Sequence, residues 1–596
     1  MSDAAREMFR DTTATGWHAL VTVESPLPLE ELGALAQEVS SEAAKRGLGL
    51  IATVAGMALH GDDWFRPYHP AWQMDGQRSL VPEDFSDEEV EFLSLLADQP
   101  EGSQLSARLA DIVYLRTRDR ADRYRWAKLA VERWVQAGIT DALSWEQLAG
   151  WSRAANIAAR FRLVDLARAL TDVGVDAFNK AHAMGALRVA QTMREARYVP
   201  DNEHFEEQLE SLVVGDIPVF LQNVLLEEAI RWTPSSDEKK KAALRARVGD
   251  LWWDEAELRQ ADSHMVARDH YANALRSYRA VPARLRDPRT VDRINRLPAI
   301  VRQEGERTLD EMHLTTTDGI DISEWIEGVE AIADADSLMS ALVSWIDMAP
   351  LDTLEHAKEQ AREQMAEHPI AFLFGHSTID EKGRKVYDSR TAVGRMGVPA
   401  DVWSVMVRNY QIASGLLCQS HIVPGIRKLS TRWRPTLAEF RLMVETSPFV
   451  PLEIRDNYAR GLFHGYYGHH AESVHLLAPA IEACVRSVLQ QAGIETSLIK
   501  DDDTESEIGL TGLLDQPGAD EALDVDVSWN IRAIFADPMG QNLRNRVAHG
   551  LVSSDESQGE GMLTAWWFAF RLAFVPYFNA LSRTQTQRND VDREGV

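Results

Sequence analysis

A mainly α-helical protein is what this sequence predicts, and three observations predict it. Capping signals such as Ser144-x-x-Gln147 and Ser235-x-x-Glu238 open successive segments. Apolar residues recur at helical spacing, as at Leu477, Ile481, Val485 and Leu489. Strand signals are scarce. A chain of 596 residues holds three or four domains' worth of core. The expected divisions are an N-terminal helical domain over 1–235, a helical-pair domain over 236–350, a connecting segment with a short hairpin and a basic run over 351–445, and a C-terminal four- or five-helix bundle over 446–596.

Taken in order, the first half reads as irregular, repeat-like helix pairs. RLADIVYLRTRDRADRYRWAKLAVERWV, from Arg108, and RVGDLWWDEAELRQADSHMVARDHYANALRSY, from Arg247, each set an Arg-x-x-Asp on a first helix, then a charged turn, then a second helix mixing small and aromatic residues. A plain helical domain with two similar hairpins is the other reading. Trp252 and Trp253 read as core. Polar stretches at Ser236–Lys241 and Thr315–Gly319 are linker candidates. Ile370–Phe374 and Lys385–Tyr387, joined by a turn at Asp380–Gly383, predict a small β-hairpin. Gly375-His376-Ser377 lacks the second glycine of a nucleophile elbow and is read as structural.

The bundle follows from about Pro448. Ile454, Tyr458, Leu462 and Tyr466 share one face, with Leu477 to Leu489 on the next helix, where Glu482 and Arg486 form an intrahelical pair. The acidic stretch 501–526 reads as an exposed loop. It is followed by a helix to about Ala536, the stretch QNLRNRVAHG (Gln541–Gly550), a polar loop and an aromatic final helix.

Composition limits the chemistry. With 63 basic and 92 acidic residues the net charge is −29, which repels phosphate backbones overall, so any RNA has to be met at a local basic patch. The candidates are Arg546 beside Arg544, and the run carrying Arg427, Lys428, Arg432 and Arg434, for which a solvated face is the alternative. Two cysteines exclude a disulfide framework and, with an N-terminus lacking an apolar signal core, point to the cytoplasm. The apolar stretch 563–581 carries Arg571 and Pro576. A central arginine costs about 2.5–3.5 kcal/mol to insert in a bilayer, so this is read as a buried bundle helix or a dimer face, with no membrane partner.

In QNLRNRVAHG, Leu543 and Val547 share a buried face, Gly550 stands where a helix ends, and Asn545 and His549 meet on another face. Arg544 lies about 140° round from His549 at roughly 100° per residue, within reach of its long side chain. A permanent cation, an amide and an imidazole at one helix end suit the binding and cleavage of a phosphodiester. The plain alternative is a helix C-terminal histidine favoured by the dipole. Two weaker constellations compete. His464, His469, His470 and His475 crowd one junction, where Glu472-x-x-His475 has metal-ligand spacing without a second such pair, and Asp310-x-x-His313 stands alone. Phosphate-cradling glycine motifs are absent, and neither a cofactor nor a catalytic metal is expected.

The Arg544-Asn545-x-x-x-His549 pattern resembles the Arg-x4-6-His signature of HEPN domains, a superfamily of helical nucleases and nucleotide-binding proteins. Leu477, Pro479, Ile481, Glu482 and Arg486 resemble the run before the motif in a family of large bacterial proteins of unknown function that end in a HEPN-type domain, with Ala480 here where that family carries Gln. This likeness extends over about the last 250 residues and loosely over the rest. It implies a metal-independent endoribonuclease with Arg544, Asn545 and His549 as catalytic residues, a homodimer formed through the C-terminal bundle, and a stress- or phage-responsive toxin restrained by its helical N-terminal part or a regulatory partner protein. The rival expectation is a non-catalytic helical scaffold, or a protein that binds a nucleotide or partner.

Overall fold

Ser144 opens the helix Trp145–Phe161, its hydroxyl accepting the Gln147 N–H at 3.4 Å in the computed structural model, as the spacing predicts. At the second predicted cap the start is displaced. Asp237, not Ser235, caps the helix Glu238–Arg259, its carboxylate accepting from Lys240 N at 3.0 Å, so the stretch read as a linker is mostly first helical turn. The structure describes residues 2–574 apart from 22–26, 75–76, 100–102, 198–201, 216, 314–318, 333–334, 373–376, 381, 390–392 and 554–555. Among these the fold is mainly α, with four two-stranded antiparallel ribbons. No helix among the described residues is long and apolar enough to cross a membrane.

The chain forms two units, Met1–Glu311 and Met312–Val596. The divisions expected at 235, 350 and 445 do not coincide with this one. Leu244 and Val248, on the helix Glu238–Arg259, belong to the same core as Ala5 and Trp17, so no core boundary falls at 235. The second expected linker, Thr315–Gly319, lies almost wholly outside the described residues.

Within the first unit the two similar segments form helix pairs, Gln104–Arg116 with Arg120–Ala137 and Glu238–Arg259 with His264–Arg279. Their Arg-x-x-Asp residues do matching work. Asp111 accepts the Tyr68 hydroxyl at 3.0 Å and two donors of Arg153, at 3.0 and 3.1 Å. Asp250 accepts the Tyr278 hydroxyl at 2.6 Å and the guanidinium of Arg293. Each of these later arginines lies over a tryptophan ring, Trp64 at 5.2 Å and Trp253 at 4.6 Å. Arg108 donates to the carbonyls of Val54, Ala55 and Met57 at the end of the helix Glu42–Gly56, and to Glu146. Arg247 donates to Glu210 at 3.0 Å and to the Val213 carbonyl at 3.4 Å. One motif therefore ties each pair to a third helix and to the end of an earlier one.

In the second unit, Trp345 on the helix Leu338–Asp347 is fully buried, 4.6 Å from the Trp567 ring. The expected connecting segment holds the helices Leu354–Glu367, Ala400–Leu417, Val423–Arg432 and Leu437–Glu445. Its hairpin pairs Ser377–Ile379 with Lys385–Asp388 across the predicted turn, where Gly383 has φ 71°. The first strand is not Ile370–Phe374. Pro369–Phe372 form a single helical turn, proline fixing φ in the helical range at its start, and 373–374 lie outside the described residues. Nor is 501–526 one exposed loop. It holds the second strand of a ribbon (Ser497–Ile499 with Glu505–Glu507) and two short helices that bury Leu510, Leu513, Leu514 and Leu523.

The bundle has the predicted buried faces on Arg455–Tyr466 and His470–Gln491, except that Ile454 falls in the preceding 3-10 turn Leu452–Ile454 and is half-buried. The final helix, described from 560 to 574, is buried on nearly every side: Trp566, Trp567, Phe568, Phe570 and Phe574 are at most 2 % exposed. Over the described residues this fits its reading as a buried bundle helix; 575–581, the end of the apolar stretch, lie outside them. Arg571, at its centre, donates to the carbonyls of Ile346 and Ala349 at the end of the helix Leu338–Asp347, and burial pulls its pKa down to about 10.

Candidate functional site

Local chemistry makes the motif helix shorter than its apolar pattern suggests. Asp537 accepts the Met539 N–H at 2.9 Å, and the chain folds back so that a Cβ on Gly540 would sit 2.1 Å from the Ala533 carbonyl oxygen, which only glycine avoids. Asn542 takes the left-handed conformation (φ 49°), one that asparagine tolerates better than most residues. The helix then runs Leu543–Ala548, with Leu543 fully buried as its anchor. It ends in a Schellman motif: Gly550 (φ 62°) donates to the Val547 carbonyl at 3.1 Å and Leu551 to that of Arg546 at 2.8 Å. His549 is thereby the C-cap residue, and it is exposed.

Arg544 and Asn545 are half-buried. Arg544 donates through Nε to Glu482 Oε2, an oxygen that also accepts the Leu510 N–H at 3.1 Å. Glu482 Oε1 takes Arg486 Nη2 at 3.1 Å, so the pair legible in the sequence is one part of a larger set. Arg486 in turn donates to the carbonyls of Thr496 (2.9 Å) and Ile508 (2.7 Å) and pairs with Glu507. Asn545 donates to Asn542 Oδ1 at 2.9 Å and accepts Arg544 Nη1 at 3.4 Å. Glu482 is the residue that sequence reasoning missed here. Its place in the Leu-x-Pro-x-Ile-Glu run was a signal, but its partner lies 62 residues on and outside any helical spacing.

The other candidates are placed elsewhere. Arg546 pairs with Glu556 and lines a cavity of about 410 Å³ with Gln541, Asn542, Leu543 and the hairpin's Arg384; Arg544, Asn545 and His549 are not among its lining residues. Arg427 and Arg434 are exposed, Lys428 stands 3.9 Å from Glu330, and Arg432 lies over the Trp433 ring at 4.8 Å. The helix carrying this run packs on Ser323–Ala331, whereas the motif helix packs on His470–Gln491 and the π-helical turn Arg532–Ala536. At the histidine junction the His464 and His469 rings meet edge to face with centroids 5.9 Å apart, whereas His475 Nδ1 donates to Ala471 O at 2.7 Å within its own helix. Among the described residues no group of three or more His, Cys, Asp or Glu is placed to hold a metal ion.

Residues 27–165 match the model of a domain of unknown function, DUF7380. That stretch holds the Asp111–Arg153 network and ends well before the motif helix. No curated protein and no solved structure matches the chain.

Proposed function

We propose that the second unit is a metal-independent endoribonuclease of the HEPN type, working as a homodimer, and that the chain is a conditionally active toxin or phage-defence effector of the cytoplasm. The observation that carries this reading is the exposed imidazole of His549 at the end of a helix whose first turns hold Arg544 and Asn545. In that role His549 takes the proton from a ribose 2′-hydroxyl or returns one to the leaving 5′-oxygen. Arg544, oriented through Nε by Glu482, offers its Nη groups to the phosphorane, and Asn545 fixes the guanidinium from the other side. One motif supplies one histidine, and a two-fold dimer that joins two motif helices supplies the second acid or base. Net charge of −29 confines RNA to this local patch, and the first unit serves as sensor or restraint.

The test is induced expression of the wild type and of His549→Ala in cells. Growth arrest with fragmented RNA in the wild type alone supports the reading, and identical behaviour of the two overturns it. The second reading, a non-catalytic scaffold, is favoured by the pairing of both motif arginines with carboxylates, Arg544 with Glu482 and Arg546 with Glu556. On that reading Arg544→Ala lowers stability and leaves cellular RNA unchanged.

A further inference from the structure

The second unit contains a second cavity, of about 590 Å³, within the range of small-molecule sites. Its walls come from the helices Leu354–Glu367 and Ala400–Leu417 and from the final helix; Met348, Leu351, Tyr410 and Leu417 supply the open apolar surface, whereas Trp567 and Phe568, at most 2 % exposed, contribute almost none. The frame is fixed by hydrogen bonds: the Tyr410 hydroxyl donates to Asn530 Oδ1 at 2.7 Å, and Asn530 Nδ2 donates to the Asp352 carbonyl at 2.8 Å. Among the described residues that line it there is no Lys or Arg, while there is one carboxylate, Asp352, and two imidazoles, His356 and His421.

The histidines are oriented. Nδ1 of His356 lies 2.7 Å from Asp352 Oδ1, so that nitrogen carries a proton, and in the uncharged tautomer Nε2 is the acceptor. Ser420 spends its one hydroxyl proton on the Leu416 carbonyl at 2.8 Å, so the 2.6 Å contact between Ser420 Oγ and His421 Nδ1 is a donation from the ring. His421 also offers Nε2 as an acceptor, and it sits in the π-helical turn Cys418–Ile422, a local irregularity often found at binding sites. The cavity therefore combines an apolar wall that includes the Tyr410 ring with acceptors and a negative charge. A phosphate or carboxylate ligand would meet no cation among these lining residues.

We propose that this cavity binds a flat aromatic amine, its ring against Tyr410 and the aliphatic side chains of Met348, Leu351 and Leu417, and its ammonium or N–H groups toward Asp352 and the imidazole acceptors. The site is independent of the nuclease reading. The test titrates the full chain with tryptamine, indole and indole-3-acetate, followed by ligand-observed NMR. Tryptamine is expected to bind with Kd on the order of 1 mM, the range for so small a ligand, and about tenfold more tightly than indole-3-acetate. Ala413→Trp, at an exposed position lining the cavity, should fill it and abolish tryptamine binding without lowering the melting temperature. Asp352→Asn should remove the preference for tryptamine over indole. Equal binding of the three probes, no binding of tryptamine at 10-fold above that concentration, or undiminished binding by Ala413→Trp would overturn the proposal.

Discussion

Arg544 and Glu482 form an ion pair that joins the motif helix to the long helix His470–Gln491, and Glu482 keeps a second arginine, Arg486, on its other oxygen. The Glu482 side chain is 14 % exposed and the Arg544 side chain 29 %, so the pair lies between a surface bridge and a buried one.

The two partners are predicted to differ in what their loss costs. Arg544→Ala leaves Glu482 bonded to Arg486 and to the Leu510 N–H, and should destabilise the second unit by about 1 kcal/mol. Glu482→Ala leaves two guanidiniums without their shared carboxylate and an N–H without its acceptor, and should cost about 2–3 kcal/mol. Urea unfolding of the full chain measures both, and the reverse order would contradict this account of the pair.

In the first unit the two aspartates of the repeated motif should respond unequally. The Asp111 and Arg153 side chains are fully buried, and breaking such a pair strands a charge, so Asp111→Ala is expected to cost about 3–5 kcal/mol. The Asp250 side chain is 31 % exposed, and water can replace part of what Asp250→Ala removes, for a cost of about 1–2 kcal/mol. Thermal unfolding of the two variants compares them directly.

Acid should weaken the second unit through two histidines. Burial holds both His421 and His470 below the ordinary imidazole pKa, and His469 adds to the effect at His470. A group that binds its proton less well folded than unfolded contributes stability above the unfolded pKa, and that stability is lost as pH falls from about 6.5 through the lowered folded value. Melting temperature is therefore expected to fall between pH 7 and pH 5, and less steeply in His470→Gln than in the wild type. An unchanged slope would remove His470 from the account.

Close packing beneath the final helix gives a further prediction. A Cβ on Gly465 would meet Trp566 Cδ1 at 2.1 Å, and the Trp566 indole is held by donation to the Leu462 carbonyl at 2.9 Å. Gly465→Ala should cost about 1–3 kcal/mol, read from the denaturation midpoint, because neither backbone nor ring can yield cheaply. A stabilising effect, as helix propensity alone would give, would contradict the packing described.

What was legible in the sequence is what a local period or a cap encodes. Leu477, Ile481, Val485 and Leu489 declared a helix face, and all four are buried; Ser144 declared a helix start; the two Arg-x-x-Asp segments declared a shared design. Some misses are local, as where Asp237 replaces Ser235 as the cap and Pro369 opens a helical turn; in the larger ones the deciding partner is distant in the chain. The leucines of 510–523 looked like residues in an acidic loop until the long helix offered them a core. Glu482 showed only its intrahelical arginine, because no spacing rule reaches residue 544.

In the proposed reaction His549 moves protons for an attack by the ribose 2′-hydroxyl. The most direct test is cleavage of a short RNA by the purified full chain and by His549→Ala, with the chemistry of the product ends determined by mass spectrometry. Expected are 2′,3′-cyclic phosphate ends from the wild type, intact RNA with His549→Ala, and similar RNA affinity for both, since His549 is an exposed C-cap whose loss spares the fold. Products with 3′-hydroxyl and 5′-phosphate ends, or equal cleavage by His549→Ala, would contradict the proposed reaction.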